Sequence, residues 1–274
     1  MLISYNGVLT RSDDKIFSSE SRIYKYGDGY FESIKILNRQ AFLFDKHYNR
    51  IHRAAALFKL PLKERWTQKY FEDQIELLSL KTGVVNGRCR MTFYRDAEGY
   101  YAPESNRCGF LIEMTEGPNR FYLNDKGLVL GSFQQLLKPS NFTSFFKSLS
   151  CITYVMAGIY AVEHNLNSVV LYNENLRVSE IHNANIFVII EDDILTPALS
   201  EYCLDGVMRQ YIIEKLKMAG KNIIETEITE EDLLSADEVF VSNASQGMQW
   251  VESYEGKNYS FAKTQEIFAE VLGI

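Results

Sequence analysis

The chain has 274 residues, 46% hydrophobic, 13% aromatic and 24% charged, enough to bury a sizeable core, which excludes disordered, collagenous and disulfide-stapled classes. Twenty-nine Lys and Arg against 36 Asp and Glu leave −7, so neither nucleic acid nor an anionic membrane is expected as the main partner. Cys89, Cys108, Cys151 and Cys203 form no CxxC motif, the opening MLISYNGVLTRSDDK lacks a signal pattern, and no run approaches the roughly 20 apolar residues of a membrane span. A reduced, soluble cytoplasmic protein is the expectation.

Along the chain, IKIL and AFLF are β-prone runs about Asn38-Arg39-Gln40, which predicts a hairpin. Asp45 is expected to cap a helix whose apolar positions are Tyr48, Ile51, Ala55 and Phe58, and a second helix carries Phe71, Ile75 and Leu78. From Arg88 to Tyr94 the pattern alternates: Cys89, Met91 and Phe93 share one strand face, Arg88, Arg90, Thr92 and Tyr94 the other. The Gly-Pro break within Glu116-Gly117-Pro118-Asn119 is the candidate linker, predicting domains over 1–117 and 120–274.

Beyond it, GLVLGSF reads as a strand and CITYVMAGIYAVEHN as a helix with Ile152, Val155, Ile159 and Val162 on its buried side. SVVLYN and NIFVII read as strands joined through a turn at Asn173-Glu174-Asn175. Asp205 is expected to cap a helix from Gly206 to Ala219 that stops at Gly220. Strand NIIETEI precedes a capping-box start at Thr229-Glu230-Glu231-Asp232, and strand EVFVS follows. No regular βαβ rhythm and no internal repeat is visible, which predicts α+β domains with largely antiparallel sheets.

Several positions could carry chemistry, and each also has an ordinary explanation. Lys147, inside Phe145-Phe146-Lys147-Ser148-Leu149, could form a Schiff base if desolvated, or snorkel to the surface. Gly206-Val207-Met208-Arg209 opens a helix whose free amides suit a phosphate, as does the small polar loop Ser242 to Gly247, although most such starts bind nothing. Arg88 and Arg90 point the same way, toward a cleft or toward water. Arg50 and Glu180 read alone as surface charges. His47 and His52, five apart on one helix, face different ways and make no metal pair, and no metal site is expected. GxSxG, P-loop and GxGxxG patterns are absent.

In this order, from about Tyr26 to Val251, the pieces resemble the fold-type IV pyridoxal-phosphate enzymes: branched-chain and D-amino-acid aminotransferases and aminodeoxychorismate lyase. Tyr26-Gly27-Asp28-Gly29-Tyr30-Phe31-Glu32-Ser33 looks like the family's opening segment beside the substrate, and His47-Tyr48-Asn49-Arg50 is similar to the H-x-x-R helix whose arginine meets the cofactor phosphate. Lys147-Ser148-Leu149 matches the segment of the Schiff-base lysine; Glu180 with Asn185-Ile186-Phe187-Val188 matches the one whose glutamate meets the pyridine nitrogen. Leu204 to Arg209 resembles the helix start that holds the phosphate, and Ser242-Asn243-Ala244 stands at the last phosphate loop.

The resemblance implies pyridoxal 5′-phosphate in the cleft of a two-domain α+β fold of D-amino-acid aminotransferase type, with a small α/β N-terminal domain and a larger C-terminal domain on a mixed or antiparallel sheet. Lys147 and Glu180 become catalytic. Arg50, Lys147, Glu180, Asn185, Gly206, Val207, Met208, Asn243 and Ala244 become cofactor contacts, and Tyr26, Phe31, Arg88 and Arg90 substrate contacts. A homodimer acting on a small-molecule amino acid and oxo acid is implied, with transfer from a small or branched-chain amino acid as the leading activity and pyruvate release from aminodeoxychorismate as the alternative. Ile181 stands where the family often has glycine, Met208 replaces a common threonine, and Asn243-Ala244 replaces a common Gly-Thr pair. Arg95-Asp96-Ala97-Glu98-Gly99 lacks the Arg-x-His trap of D-amino-acid aminotransferases, which points away from that subgroup. Gly206 to Gln210 and Ser242 to Ala244 look closer to the lyases, Glu32 to the aminotransferases.

Overall fold

A computed structural model describes residues 1–273, in which the chain divides into two compact units. The first comprises Met1–Arg120 and Phe146–Ser150, the second Phe121–Phe145 and Cys151–Ile274. The return of Phe146–Ser150 to the first unit is a feature that a linear division at 120 does not anticipate.

In the first unit the elements run β1 (Leu2–Tyr5), β2 (Val8–Arg11), α1 (Arg22–Tyr26), β3 (Gly29–Leu37), β4 (Gln40–Ala41), α2 (Phe44–Leu57), α3 (Gln68–Thr82), β5 (Gly87–Arg95) and β6 (Cys108–Glu116). The six strands form one antiparallel sheet in the order β2-β1-β6-β5-β3-β4. Cys89, Met91 and Phe93 point into the core with Ile34, Ile51, Phe71 and Ile75, as the alternation and the helical spacing require. The β3–β4 turn is tighter than expected: Leu37 pairs with Gln40, leaving only Asn38 and Arg39, both at positive φ, in a two-residue hairpin loop whose twist suits the strands. Phe44 already belongs to α2. Leu43 is its N-cap and Asp45 lies in the first turn, where its charge favours the positive helix end, so Asp45 is not the cap.

In the second unit the elements are β7 (Leu128–Lys138), α4 (Ile152–Glu163), β8 (Ser168–Asn173), β9 (Val178–Ile181), β10 (Asn185–Ile190), β11 (Asp193–Pro197), α5 (Val207–Met218), β12 (Ile223–Thr226), α6 (Glu230–Ser235), β13 (Glu238–Asn243), β14 (Gly247–Tyr254), β15 (Lys257–Asn258) and α7 (Ala262–Leu272). Their mixed sheet has the order β12-β11-β10-β13-β14-β7-β8-β9, with β15 on β14; β11–β12, β14–β7 and β7–β8 are parallel. The capping box at Thr229 and Asp232 forms.

Two expectations fail here. Residues 173–181 are not a simple turn: β9 intervenes between SVVLYN and NIFVII, so Glu180 lies on a buried strand. In α4 the stripe of Ile152, Val155, Ile159 and Val162 is exposed, and the buried side is Ala157 and Ala161, packed on Phe133, Val169 and Leu171. The helix is apolar on both sides. Periodicity finds a stripe but does not say which one the sheet covers, and the small alanines allow the closer approach. Among the described residues no helix is long and apolar enough to cross a membrane, and no group of three or more His, Cys, Asp or Glu could hold a metal.

Candidate active site

Lys147 lies against β3. Its carbonyl accepts from Phe31 N–H at 2.8 Å, Leu149 N–H donates to Gly29 O at 3.0 Å, and Ser148 bridges Tyr30. Gly29 makes this seat possible: a Cβ there would stand 2.2 Å from Phe93 O and 2.9 Å from the Leu149 side chain. Half-buried Lys147 carries its Nζ 5.0 Å from the centre of the Phe31 ring, and the Arg90 guanidinium stacks on that same ring at 3.7 Å. Arg88, two residues along β5, is exposed and reaches Ser33 Oγ at 3.4 Å, so the two arginines do not share one environment. Tyr26 lines a cavity of about 290 Å³ whose wall also includes Ser148 and Ser150, one and three residues after Lys147.

Arg50, on α2, meets β3 at Glu32, whose side chain is opposite in pleat to Phe31. Its Nε and Nη2 donate to the two oxygens of Glu32 at 2.8 and 2.6 Å, and His47 Nδ1–H donates to Glu32 Oε2 at 2.7 Å. All three residues are buried. Arg95, where the Arg-x-His trap would begin, is a structural clip: it bonds Asp28 Oδ2 at 3.0 Å and the carbonyls of Phe58 and Lys59 at 2.7 and 3.1 Å.

The second unit gathers the remaining residues. Glu180 on β9 is buried, and its Oε1 accepts from the Tyr154 hydroxyl at 2.7 Å and from the Lys138 ammonium, while Oε2 accepts Leu204 N–H at 3.0 Å. Burial, followed by the Glu180 charge, pushes the Tyr154 hydroxyl well above its ordinary pKa, so it stays protonated and donates. Asn185 Nδ2 holds Leu204 O at 2.8 Å just ahead of α5. Gly206 is the α5 N-cap, and a Cβ on it would meet Asn185 Oδ1 at 2.0 Å. The side chain of Asp205 accepts from Gln210 Nε2 at 2.6 Å, leaving the capping position to glycine. Val207 and Met208 therefore supply first-turn amides, which no intrahelical carbonyl can satisfy. Ser242 stands opposite Asn185 on β13, and its buried Oγ has no hydrogen-bond partner among the described residues. The Asn243 side chain is already engaged: Oδ1 accepts from Ser245 and Gln246 N–H at 3.0 and 2.8 Å, and Nδ2 donates to Asn183 O at 3.3 Å and to Gln246 Oε1 at 2.9 Å, so the backbone amides of Asn243 and Ala244 are what the loop can offer an anion.

These groups suit pyridoxal phosphate: first-turn amides beside an orphaned buried hydroxyl fit its phosphate, and a carboxylate with donors on both oxygens fits its ring nitrogen. Neither Lys138 nor Tyr154 is expected at the site from the sequence, whereas Ser242 belongs to the loop already expected to meet the phosphate. Lys138 has only Leu136-Leu137 before it and Pro139 after it, too short an apolar context to mark a buried lysine.

The chain belongs to the class IV aminotransferase family, whose model matches residues 29–254, and it is a pyridoxal-phosphate-dependent enzyme of that family. It is 24% identical over 277 residues to D-alanine aminotransferase of Listeria monocytogenes serotype 1/2a (strain 10403S), covering 99% of this chain and 93% of that one. Its fold is similar to a branched-chain amino acid aminotransferase of Escherichia coli, with a TM-score of 0.90 at 20% identity over 100% of this chain and 94% of that one. It is also similar to the 4-amino-4-deoxychorismate lyase of Pseudomonas aeruginosa, with a TM-score of 0.84 at 19% identity and full coverage of both. Those two likenesses establish the fold, as expected from the sequence.

Proposed function

We propose that the protein moves the amino group of a small or branched-chain amino acid to a 2-oxo acid, with 2-oxoglutarate as a common acceptor. The observation that supports this reading is the shared ring of Phe31: an amine, Lys147, and a guanidinium, Arg90, both stand over it. Bound pyridoxal phosphate supplies an aldehyde for amine exchange and a protonated ring that draws electrons from the substrate Cα. Lys147 serves as the covalent anchor and moves the proton from Cα to the cofactor's C4′. Glu180 holds the ring-nitrogen proton. The amides of Val207 and Met208, with Ser242 and the Asn243-Ala244 backbone, bind the phosphate; Gly206 and Asn185 shape that helix start, and Arg50, fixed on Glu32, is the supporting cation. Tyr26 and Phe31 line the substrate side, and Arg90 rather than Arg88 takes its carboxylate.

A panel assay separates the activities: amino transfer to 2-oxoglutarate from small and branched amino acids of both hands, beside pyruvate release from aminodeoxychorismate. Transfer is the expected result. Pyruvate release without transfer would move the assignment to the lyase. Arg90→Ala should raise the amino-acid KM about 10- to 100-fold, the worth of a charge-assisted bond, and leave cofactor affinity within about threefold; Arg88→Ala should change KM less than about threefold. Equal effects of the two variants on steady-state kinetics would contradict the assignment.

We further propose a cytoplasmic homodimer. The exposed aliphatic stripe of α4 supports an interface between two copies, because contiguous apolar surface of this kind marks association sites. Four free cysteines, three of them buried, suit a reducing compartment. Sedimentation should give twice the 31.6 kDa chain mass, and a monomer at micromolar concentration would refute the dimer.

A further inference from the structure

Lysine is almost never fully buried without a task, and Lys138 is 1% exposed. It closes β7 after an irregular stretch between Phe133 and Lys138, where the chain rejoins β8 opposite Asn173. Glu180 on β9 lies opposite Leu171 of β8. Asn173 and Leu171 are two residues apart on one strand, so Lys138 and Glu180 emerge on the same face and reach across β8, about 10 Å from strand to strand, to form an ion pair. The Lys138 ammonium also stands 5.7 Å from the centre of the Tyr154 ring, whose hydroxyl shares Oε1 with it.

A carboxylate offers about four lone-pair sites. Two on Oε1 are taken by Lys138 and Tyr154, and one on Oε2 by Leu204 N–H. We propose that Lys138 is a positioning residue for Glu180: it saturates Oε1, fixes the carboxylate plane and leaves Oε2 as the oxygen for the cofactor's ring nitrogen. The pair is also already neutral. A ring-nitrogen proton therefore adds an uncompensated positive charge, and Lys138 moderates how strongly Glu180 holds that proton. This inference rests on the assignment of Glu180 to the ring nitrogen, and it makes the Lys138 effect dependent on Glu180.

The test is a double-mutant cycle of Lys138→Met and Glu180→Gln, with Lys138→Arg as the conservative variant. In apoprotein titrated with pyridoxal phosphate, Lys138→Met should bind within about threefold of the wild type. Its cofactor absorbance band should shift away from the wild-type position, and Lys138→Arg should return it. Turnover should fall about 10- to 100-fold in Lys138→Met, the size of outer-shell losses in other built sites, yet change less than about twofold when Glu180 is already Gln. The same factor lost in both backgrounds, or an unshifted band, would overturn the proposal while leaving the Glu180 assignment intact. Wild-type turnover in Glu180→Gln alone would instead remove that assignment, and the Lys138 role with it. Should Lys138→Met fail to fold, the double variant, which leaves neither charge buried, is compared with Glu180→Gln: equality supports the role and a further loss overturns it.

Discussion

Lys147→Ala should lower amino-transfer turnover by about 10⁴-fold or more, while the apoprotein still binds pyridoxal phosphate and keeps its thermal midpoint. The loss is large because one side chain has two jobs, covalent anchor and proton carrier, and positioned proton transfer alone contributes about 10² to 10⁴. Stability should hold because the segment is fixed by its backbone: Phe31 N–H to Lys147 O and Leu149 N–H to Gly29 O remain in the variant. The visible band of the linked cofactor should disappear. Turnover within about tenfold of the wild type would mean that another amine does this work.

Glu32→Gln should destabilise the fold by about 3–5 kcal/mol, a large part of the roughly 5–15 kcal/mol a domain possesses, because it strands a buried guanidinium without its counter-charge. Burial alone would raise the Glu32 pKa, but the Arg50 charge and hydrogen bonds, with His47, outweigh it and hold it at about 2 against an ordinary 4.5. Burial moves His47 below its ordinary 6.5 despite the Glu32 carboxylate. Both shifts have the same consequence: the unfolded chain binds more protons than the folded one. The His47 deficit opens as pH falls below about 6.5. The Glu32 contribution, complete above 4.5, is lost as pH falls toward 2. Urea midpoints measured from pH 8 to 3 should fall with acid and steepen below 4.5, and the steep portion should vanish in Glu32→Gln. A loss below about 1 kcal/mol in the variant would show that the cluster is dispensable.

Much of the fold was legible where one physical signal dominated. Alternation placed Cys89, Met91 and Phe93 in the core, and the Thr229 capping box formed as read. Sequence signals failed where two faces competed: α4 is apolar on both sides, and only the packed sheet decides that the alanines go in. They failed at Glu180 for a related reason, since a carboxylate on a short strand looks like a turn until its donors arrive from β7, α4 and the Leu204 amide. Those partners are 42, 26 and 24 residues away, a separation that no local pattern encodes. Arg50 shows the reverse case: its place in the H-x-x-R pattern is visible locally, whereas its bidentate bond to Glu32 is a tertiary fact.

The central claim is that Lys147 carries the cofactor. Borohydride reduction of the reconstituted protein, followed by peptide mass mapping, tests it most directly by fixing the cofactor on whichever lysine holds it. A phosphopyridoxyl mass on the peptide containing Lys147, and its absence in Lys147→Ala, is the expected result. The same mass on Lys138 or any other lysine would contradict the account.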